Sequence, residues 1–204
     1  MSAVQAVPQL LLEELRYEIK KEYADIALNP DSGEHCHIGR RQAEFLGYEA
    51  SLYADVPEGS TASFAGTGNP FVVGQIHPGE IVVDVGCGAG FDSLIAARLV
   101  GPTGRVIGFD MTPEMLAVAR AAAAALRLTN VEFREGYAEA LPLPDNLAEV
   151  VISNGVLNLT PDKSVTLREW ARLLKSGGRL YVGDVLSGRP LSPGEREDVS
   201  LWTG

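Results

Sequence analysis

The residues of this chain with the clearest chemical potential gather in Asp84-Val85-Gly86-Cys87-Gly88-Ala89-Gly90, with Asp110 standing twenty residues beyond Gly90. Three glycines in five residues let a backbone turn sharply and approach a ligand closely. A helix beginning just after them aims its free N–H groups at the same place. An acid at the distance of Asp110 can accept both hydroxyls of a ribose. The pattern departs from the dinucleotide fingerprint G-x-G-x-x-G, because the third glycine comes one residue early and Phe91 occupies its expected place. Asp84 is a second departure. A carboxylate just before the turn gives a diphosphate nothing, but it suits a sulfonium amino acid with an ammonium group. Turn and acids together point to a positively charged sulfur nucleoside.

Other candidates lie outside this stretch. His35, Cys36 and His37 form a short cluster with too few ligands to converge on a metal, so no metal site is expected. His35, His37 and Asn158 are the candidates for a base or an acceptor contact, and Arg40 and Arg41 either hold an anion or are simply solvated. His77, before Pro78-Gly79, belongs to the end of the sheet away from the site and reads as structural. No catalytic dyad is evident, and displacement at a sulfonium needs none. The leaving group departs neutral, alignment supplies most of the rate, and a base matters only when the acceptor must lose a proton.

These residues need elements to hold them. Ile81–Val85 reads as a buried strand, Asp92–Val100 as a helix closed by Gly101-Pro102-Thr103-Gly104, and Arg105–Phe109 as a second strand. Thr112 as cap, with Pro113 and Glu114, starts a helix that runs to the region of Leu128. Val131–Arg134 and Glu149–Ser153 follow as strands. Thr160-Pro161-Asp162 repeats the helix start, and Leu167, Trp170, Ala171 and Leu174 recur at helical spacing. Gly177-Gly178 closes that helix, and Arg179–Val185 is the fifth strand. Residues 8–24 read as a packing helix through Leu12, Leu15 and Ile19; residues 29–70 read as irregular, with residues 33–70 as a lid. The alternation of apolar strands and helices predicts an α/β fold, a doubly wound and mostly parallel sheet. Its ligands would bind beyond the carboxyl ends of the strands, at the switch point.

The chain has 204 residues, 46% hydrophobic and 22% charged, with a formal net charge of −10. Such a surface repels a phosphate backbone, so no nucleic-acid partner is expected. No apolar run approaches bilayer length, so no membrane partner is expected either. With no secretory signal evident and only two cysteines, a cytoplasmic location is expected, and radical iron–sulfur chemistry lacks its ligands.

At the level of motifs the chain resembles the class I S-adenosylmethionine-dependent methyltransferases. The matching stretches are VVDVGCGAGFDSL (82–94), RVIGFDMTPEML (105–116), EGYAEALPLPD (135–145), VVISNGVLNL (150–159) and GGRLYVGDV (177–185). Within that family VGPTGRVIGFDMTPEML (100–116) and GTGNP (66–70) are similar to the arsenite methyltransferase branch. The resemblance implies S-adenosyl-L-methionine as cofactor, S-adenosyl-L-homocysteine as product and a small-molecule acceptor. It implies a cofactor site of Gly86, Cys87, Gly88 and Gly90 with Asp84 near the ammonium group, Asp110 on the ribose, Met111 against the adenine, the backbone of Ala138 and Glu139 beside it, and Asn154 at the methionine end. Many relatives carry Asp where Tyr137 stands, which leaves the contact to the adenine amino group open. Thr67 and Asn69 fall on the acceptor side. The arsenite branch has cysteines where this chain has Thr67 and Gly155, and a soft arsenic ion needs such thiolates. An arsenite methyltransferase-like enzyme and a non-catalytic cofactor binder remain alternatives, with a nicotinamide dehydrogenase disfavoured by the early glycine.

The expected organisation is an N-terminal helix and lid or acceptor segment over 1–71, a Rossmann-like cofactor domain over 72–190, and a tail over 191–204. The C-terminal strands usual in the family are not apparent, so the fifth strand is expected as an open edge that pairs with a second copy as a homodimer.

Overall fold

In the computed structural model, which describes residues 9–30, 37–189, 192 and 194, five strands form one sheet. They are β1 (Ile81–Val85), β2 (Arg105–Asp110), β3 (Val131–Glu135), β4 (Ala148–Asn154) and β5 (Leu174–Gly183). Their order is β3-β2-β1-β4-β5, and every neighbouring pair is parallel. The chain steps outward from β1 to β3 and then returns to lay β4 on the other side of β1. That reversal is the switch point at which open α/β sheets bind ligands.

Side chains alternate across each strand, so one sequence supplies two buried faces. Val82, Val106, Val150 and Ile152 pack with Ala96, Ala97 and Val100 of α5 (Phe91–Val100). Val83, Val85, Ile107, Phe109 and Val151 pack with Trp170 and Leu173 of α7 (Lys163–Leu173). A sheet buried on both faces explains why its strands lack polar alternation. α6 (Pro113–Ala125) lies beside α5, with Leu116 and Ala119 against Leu94 and Phe133.

Before the sheet come α1 (Gln9–Leu28), α2 (Gly39–Phe45), α3 (Ala50–Tyr53), α4 (Glu58–Ala62) and a 3₁₀ turn at Pro70–Val72. The stretch expected as irregular between 29 and 70 thus contains three short helices. Their order comes from packing. Ala43, Tyr48, Tyr53, Val56 and Phe64 are buried in one cluster with Phe91, Leu94 and Leu116. The aromatic rings meet edge-on or tilted, Phe64 to Phe91 at 4.4 Å between centroids and Tyr53 to Phe91 at 5.3 Å.

Several boundaries differ from expectation for local reasons. α1 ends at Leu28 rather than at 24. α7 begins at Lys163, because Asp162, not Thr160, is the cap; its Oδ1 accepts the N–H groups of Ser164 at 2.9 Å and Val165 at 3.0 Å. Thr112 does occupy the cap position of α6, but its side chain makes no capping bond. α7 ends at Leu173, where Leu174 turns extended, so Gly177-Gly178 does not close the helix. Both glycines lie inside β5, in a stretch where the register slips between the Ala148–Leu174 and Val150–Arg179 pairs. β5 accordingly starts earlier than Arg179 and stops at Gly183 rather than Val185. His77 lies at the amino end of β1, where its N–H donates to Glu80 Oε2 at 2.8 Å. Among the described residues no helix is long and apolar enough to cross a membrane.

Trp170 links the core to the loops above it. It is fully buried, and its indole N–H donates to the carbonyl of Ala138 at 3.0 Å. Trp170→Ala is expected to destabilise the fold by about 3–5 kcal/mol, as a large cavity in a packed core does. Urea unfolding followed by circular dichroism would check this.

Candidate functional site

The β1–α5 connection turns on residues without side chains. Gly86 has φ +74°, and a Cβ there would run into Val156. Gly90 has φ +85°, and a Cβ there would lie 2.9 Å from that of Ala119. Both conformations are ones that other residues reach only under strain. The turn is also tied to β2. Gly86 and Cys87 donate to the carbonyl of Phe109 at 2.7 and 2.8 Å, and Gly88 donates to Asp110 Oδ2 at 2.9 Å. Asp110 therefore faces the mouth of the turn, with its other oxygen accepting from Thr112 N–H at 2.8 Å.

Beside the turn lies a cavity with about 1020 Å³ of space free of atoms, part of it open to solvent. Three carboxylates line it from different elements: Asp84 from β1, Asp92 from α5 and Asp110 from β2. Asp84 and Asp92 are buried. Burial, helped by the charge of Asp92, pushes the Asp84 carboxyl up to about 8, although the hydroxyl of Ser93 donates to it at 2.5 Å. Burial pushes Asp92 up to about 6 against the hydrogen bonds it accepts from Tyr48 at 2.7 Å and Asn154 at 2.9 Å. Asp110 is raised as well, mainly by burial. Among the described residues lining the cavity, Arg16 is the one strongly basic side chain, and it is already paired with Glu139 at 3.2 Å. Acidic groups are thus gathered here without a protein cation to pair with them, so burial holds their protons on, and a cationic ligand would favour their ionised forms.

Of the residues expected to hold the cofactor, Asp84, Gly86, Cys87, Gly88, Asp110, Met111, Ala138, Glu139 and Asn154 all line this one cavity. Gly90 lies just beneath it as the left-handed cap of α5. The Cys87 thiol is pushed well above its ordinary range by burial, which makes it a packing residue of the turn rather than a nucleophile. At the other end, α1 closes the cavity with Leu15, Arg16, Ile19 and Tyr23. The Arg16 guanidinium lies 4.0 Å from the centre of the Tyr137 ring, and Lys20 pairs with Glu135 at 3.7 Å.

The expected acceptor-side residues are less concentrated. Thr67, Asn69, His37 and Asn158 are not among the residues lining the cavity. The Thr67 N–H bonds to Asn154 Oδ1 at 2.9 Å. Asn69 caps the 3₁₀ turn by accepting from Phe71 N–H at 3.0 Å and donates to Gly47 at 3.2 Å. His37 is exposed, with a left-handed φ of +64°. Asn158 turns toward Asp184, to which its backbone N–H donates at 3.3 Å. His35 and Cys36 lie outside the described residues. Among the described residues no group of three or more His, Cys, Asp or Glu is placed to hold a metal ion.

Asp92, Tyr48 and the α1 residues of the site escape sequence reasoning. Asp92 carries a signal in hindsight, being an acid in the first turn of the helix that leaves the glycine turn. Tyr48 and Arg16 carry none, because each meets the site only through long-range packing.

Comparison with known proteins agrees with this geometry. The chain is 39% identical to the arsenite methyltransferase of Halobacterium salinarum over 94% of its own length and 52% of that protein's. It is 37% identical to the demethylmenaquinone methyltransferase of Listeria monocytogenes over 63% of its length and 53% of that protein's. It superposes on the crystal structure of an arsenic(III) S-adenosylmethionine methyltransferase from Chlamydomonas reinhardtii with a TM-score of 0.68 and 38% identity, covering 74% of this chain and 53% of that one. The chain thus spans about half the length of these relatives. A family model described as a methyltransferase domain matches residues 76–199. With glycine turn, acids and switch point where that match falls, the chain belongs to the methyltransferase domain family.

Proposed function

We propose that this chain binds S-adenosylmethionine in the cavity beside the glycine turn and transfers its methyl group to a small-molecule acceptor. The observation that carries this reading is the convergence of Asp84, Asp92 and Asp110 on one cavity at the switch point, with no free protein cation among the described residues lining it. A dinucleotide diphosphate would be repelled there, whereas a sulfonium nucleoside with an ammonium group is attracted. The residues fit such a ligand. Asp110 stands at the mouth of the turn for the ribose hydroxyls, and a Cβ built on Gly88 meets nothing nearer than Met115 Sδ at 3.9 Å, so the backbone is open to close approach. Asp84 and Asp92 would face the methionine end, ionising as its ammonium group arrives, and Met111 with Tyr137, Ala138 and Glu139 borders the space for the base.

S-adenosylmethionine held there would supply an activated methyl group to an acceptor lone pair, with the sulfur keeping the electrons of the broken carbon–sulfur bond as a neutral thioether. The chain's part is to hold donor and acceptor in line and to exclude water. No general acid is required, because the sulfur leaves as a neutral thioether. Arsenite is not favoured as acceptor. Thr67 and Gly155, where the branch it resembles carries cysteines, do face each other: a Cβ at Gly155 would lie 3.2 Å from the Thr67 methyl. That spot offers a hydroxyl and a methyl rather than soft thiolates. Calorimetric binding of S-adenosylmethionine, followed by turnover assays with phenol, thiol, amine and arsenite acceptors, tests the reading. Absence of binding overturns it, and binding without turnover on any acceptor reduces the chain to a cofactor binder.

Asp110→Asn is expected to weaken S-adenosylmethionine binding about 10- to 100-fold, the worth of charged hydrogen bonds at roughly 1.5–3 kcal/mol. Calorimetric titration of the variant would show it.

The raised carboxylates set a pH dependence. A carboxyl raised from 3.8 to about 8, as Asp84 is, holds its proton in the folded protein where the unfolded chain has lost it. Its contribution to stability is present below the unfolded value and is lost as pH rises through the folded one. A bound cation favours the ionised form and reverses that trend. The ligand-free protein is therefore expected to lose thermal stability as pH rises from 6 to about 8, while affinity for S-adenosylmethionine increases. Binding at neutral pH should release protons, measured as a difference in calorimetric heat between buffers of unlike ionisation enthalpy. Proton uptake would contradict this account.

A further inference from the structure

Asn154 stands at the tip of β4 with all its polar atoms engaged. Its Oδ1 accepts from the N–H groups of Thr67 and Gly68, both at 2.9 Å. Its Nδ2 lies within hydrogen-bond distance of Gly68 O at 2.8 Å, Asp92 Oδ2 at 2.9 Å and the Tyr48 hydroxyl at 3.1 Å. Tyr48 donates to the other oxygen of Asp92 at 2.7 Å. Its ring is held edge-on by Phe64 at 5.4 Å, Phe71 at 6.1 Å and Phe91 at 5.3 Å. The loop at residues 66–68 is fitted to this arrangement: a Cβ at Gly66 would run into Asn154, and one at Gly68 would lie 2.8 Å from the Gly183 backbone.

Both oxygens of Asp92 thus face donors, one from Tyr48 and one from Asn154. An ionised carboxylate accepts both bonds, and charge makes them short and strong. A protonated Asp92 places its own O–H on one of those oxygens and loses a bond. The same residue lines the cavity. A cation placed there favours the ionised form, so it tightens the bonds that run outward to the loop.

We infer that Tyr48, Asp92 and Asn154 are positioning residues that couple the Gly66–Gly68 loop to the presence of a cation in the cavity. The inference rests on the proposed cofactor reading. It makes the arrival of a sulfonium nucleoside the event that sets the loop beside Gly155, so that this part of the site is fixed only after the methyl donor is bound.

The amides of Thr67 and Gly68 report this coupling directly, because Asn154 Oδ1 is their acceptor. Their hydrogen exchange is to be followed by nuclear magnetic resonance in the full chain below about pH 6, where Asp92 keeps its proton in the ligand-free protein, alone, saturated with S-adenosylmethionine, and saturated with adenosine, which carries the sugar and base without the cation. S-adenosylmethionine is expected to slow exchange at both amides about fivefold or more beyond the effect of adenosine. In Tyr48→Phe saturated with S-adenosylmethionine, most of that extra slowing should vanish. Equal slowing by adenosine, no slowing in the wild type, or full slowing in Tyr48→Phe overturns the inference. Should the variant not fold, the comparison of the two ligands on the wild type decides by itself. Calorimetry separates the two failures: no binding of S-adenosylmethionine sinks the cofactor reading and this inference together, whereas binding without loop protection sinks only the inference.

Discussion

Carboxylates do not crowd together in a protein interior without something to hold them there. In this molecule Asp84 and Asp92 are buried within reach of each other's field, and Asp110 closes the same space from the next strand. Hydrogen bonds from Ser93, Tyr48, Asn154, Gly88 and Thr112 offset part of the desolvation, but no lysine or arginine among the described residues neutralises the group. Burial therefore holds the proton on Asp84 well above the usual carboxylate range, and the proposed cationic ligand would favour its release. The proposed cofactor and the proposed order of loop fixing both depend on such a release.

The acids stay in place because the scaffold around them is rigid. Parallel strands buried on both faces lock the ends of β1, β2 and β4 in register, and the turn after β1 is bonded to β2 by its own backbone. Glycine is needed at Gly86 and Gly90 for two reasons at once: the left-handed backbone and the close approach of Val156 and Ala119. A substitution there would move the cavity as well as strain the chain. The cover is built differently. α1 meets the rim through Arg16 and Lys20, whose contacts to Tyr137, Glu139 and Glu135 are only partly shielded from water. Such contacts are weaker and more sensitive to salt than the apolar packing beneath them. Tyr137 serves as the platform for that cover.

The parallel sheet, the glycine turn and the acid on the second strand were legible in the sequence. Each is written in a local pattern, whether an apolar run of strand length, positive-φ residues at fixed spacing, or an acid just past a strand. Where local reading slipped, tertiary packing had overruled a plausible local signal. Gly177-Gly178 resembles a helix stop but sits within β5, because β4 offers a partner for the chain from Leu174 onward. The stretch before β1 looks irregular by composition, yet it folds into short helices because Tyr48, Tyr53 and Phe64 find Phe91 to pack on.

The sequence by itself determined the class of fold and the place of the glycine turn and its acids at the switch point, since these follow from backbone periodicity and residue type along short stretches. Only the tertiary structure decided that Asp92 joins Asp84 in the cavity, that Arg16 closes it over Tyr137, and that Asn154 meets Tyr48 across 106 positions of chain. Contacts of that kind depend on how loops close and cores pack, and no local pattern of residues specifies which distant side chains will share one buried space.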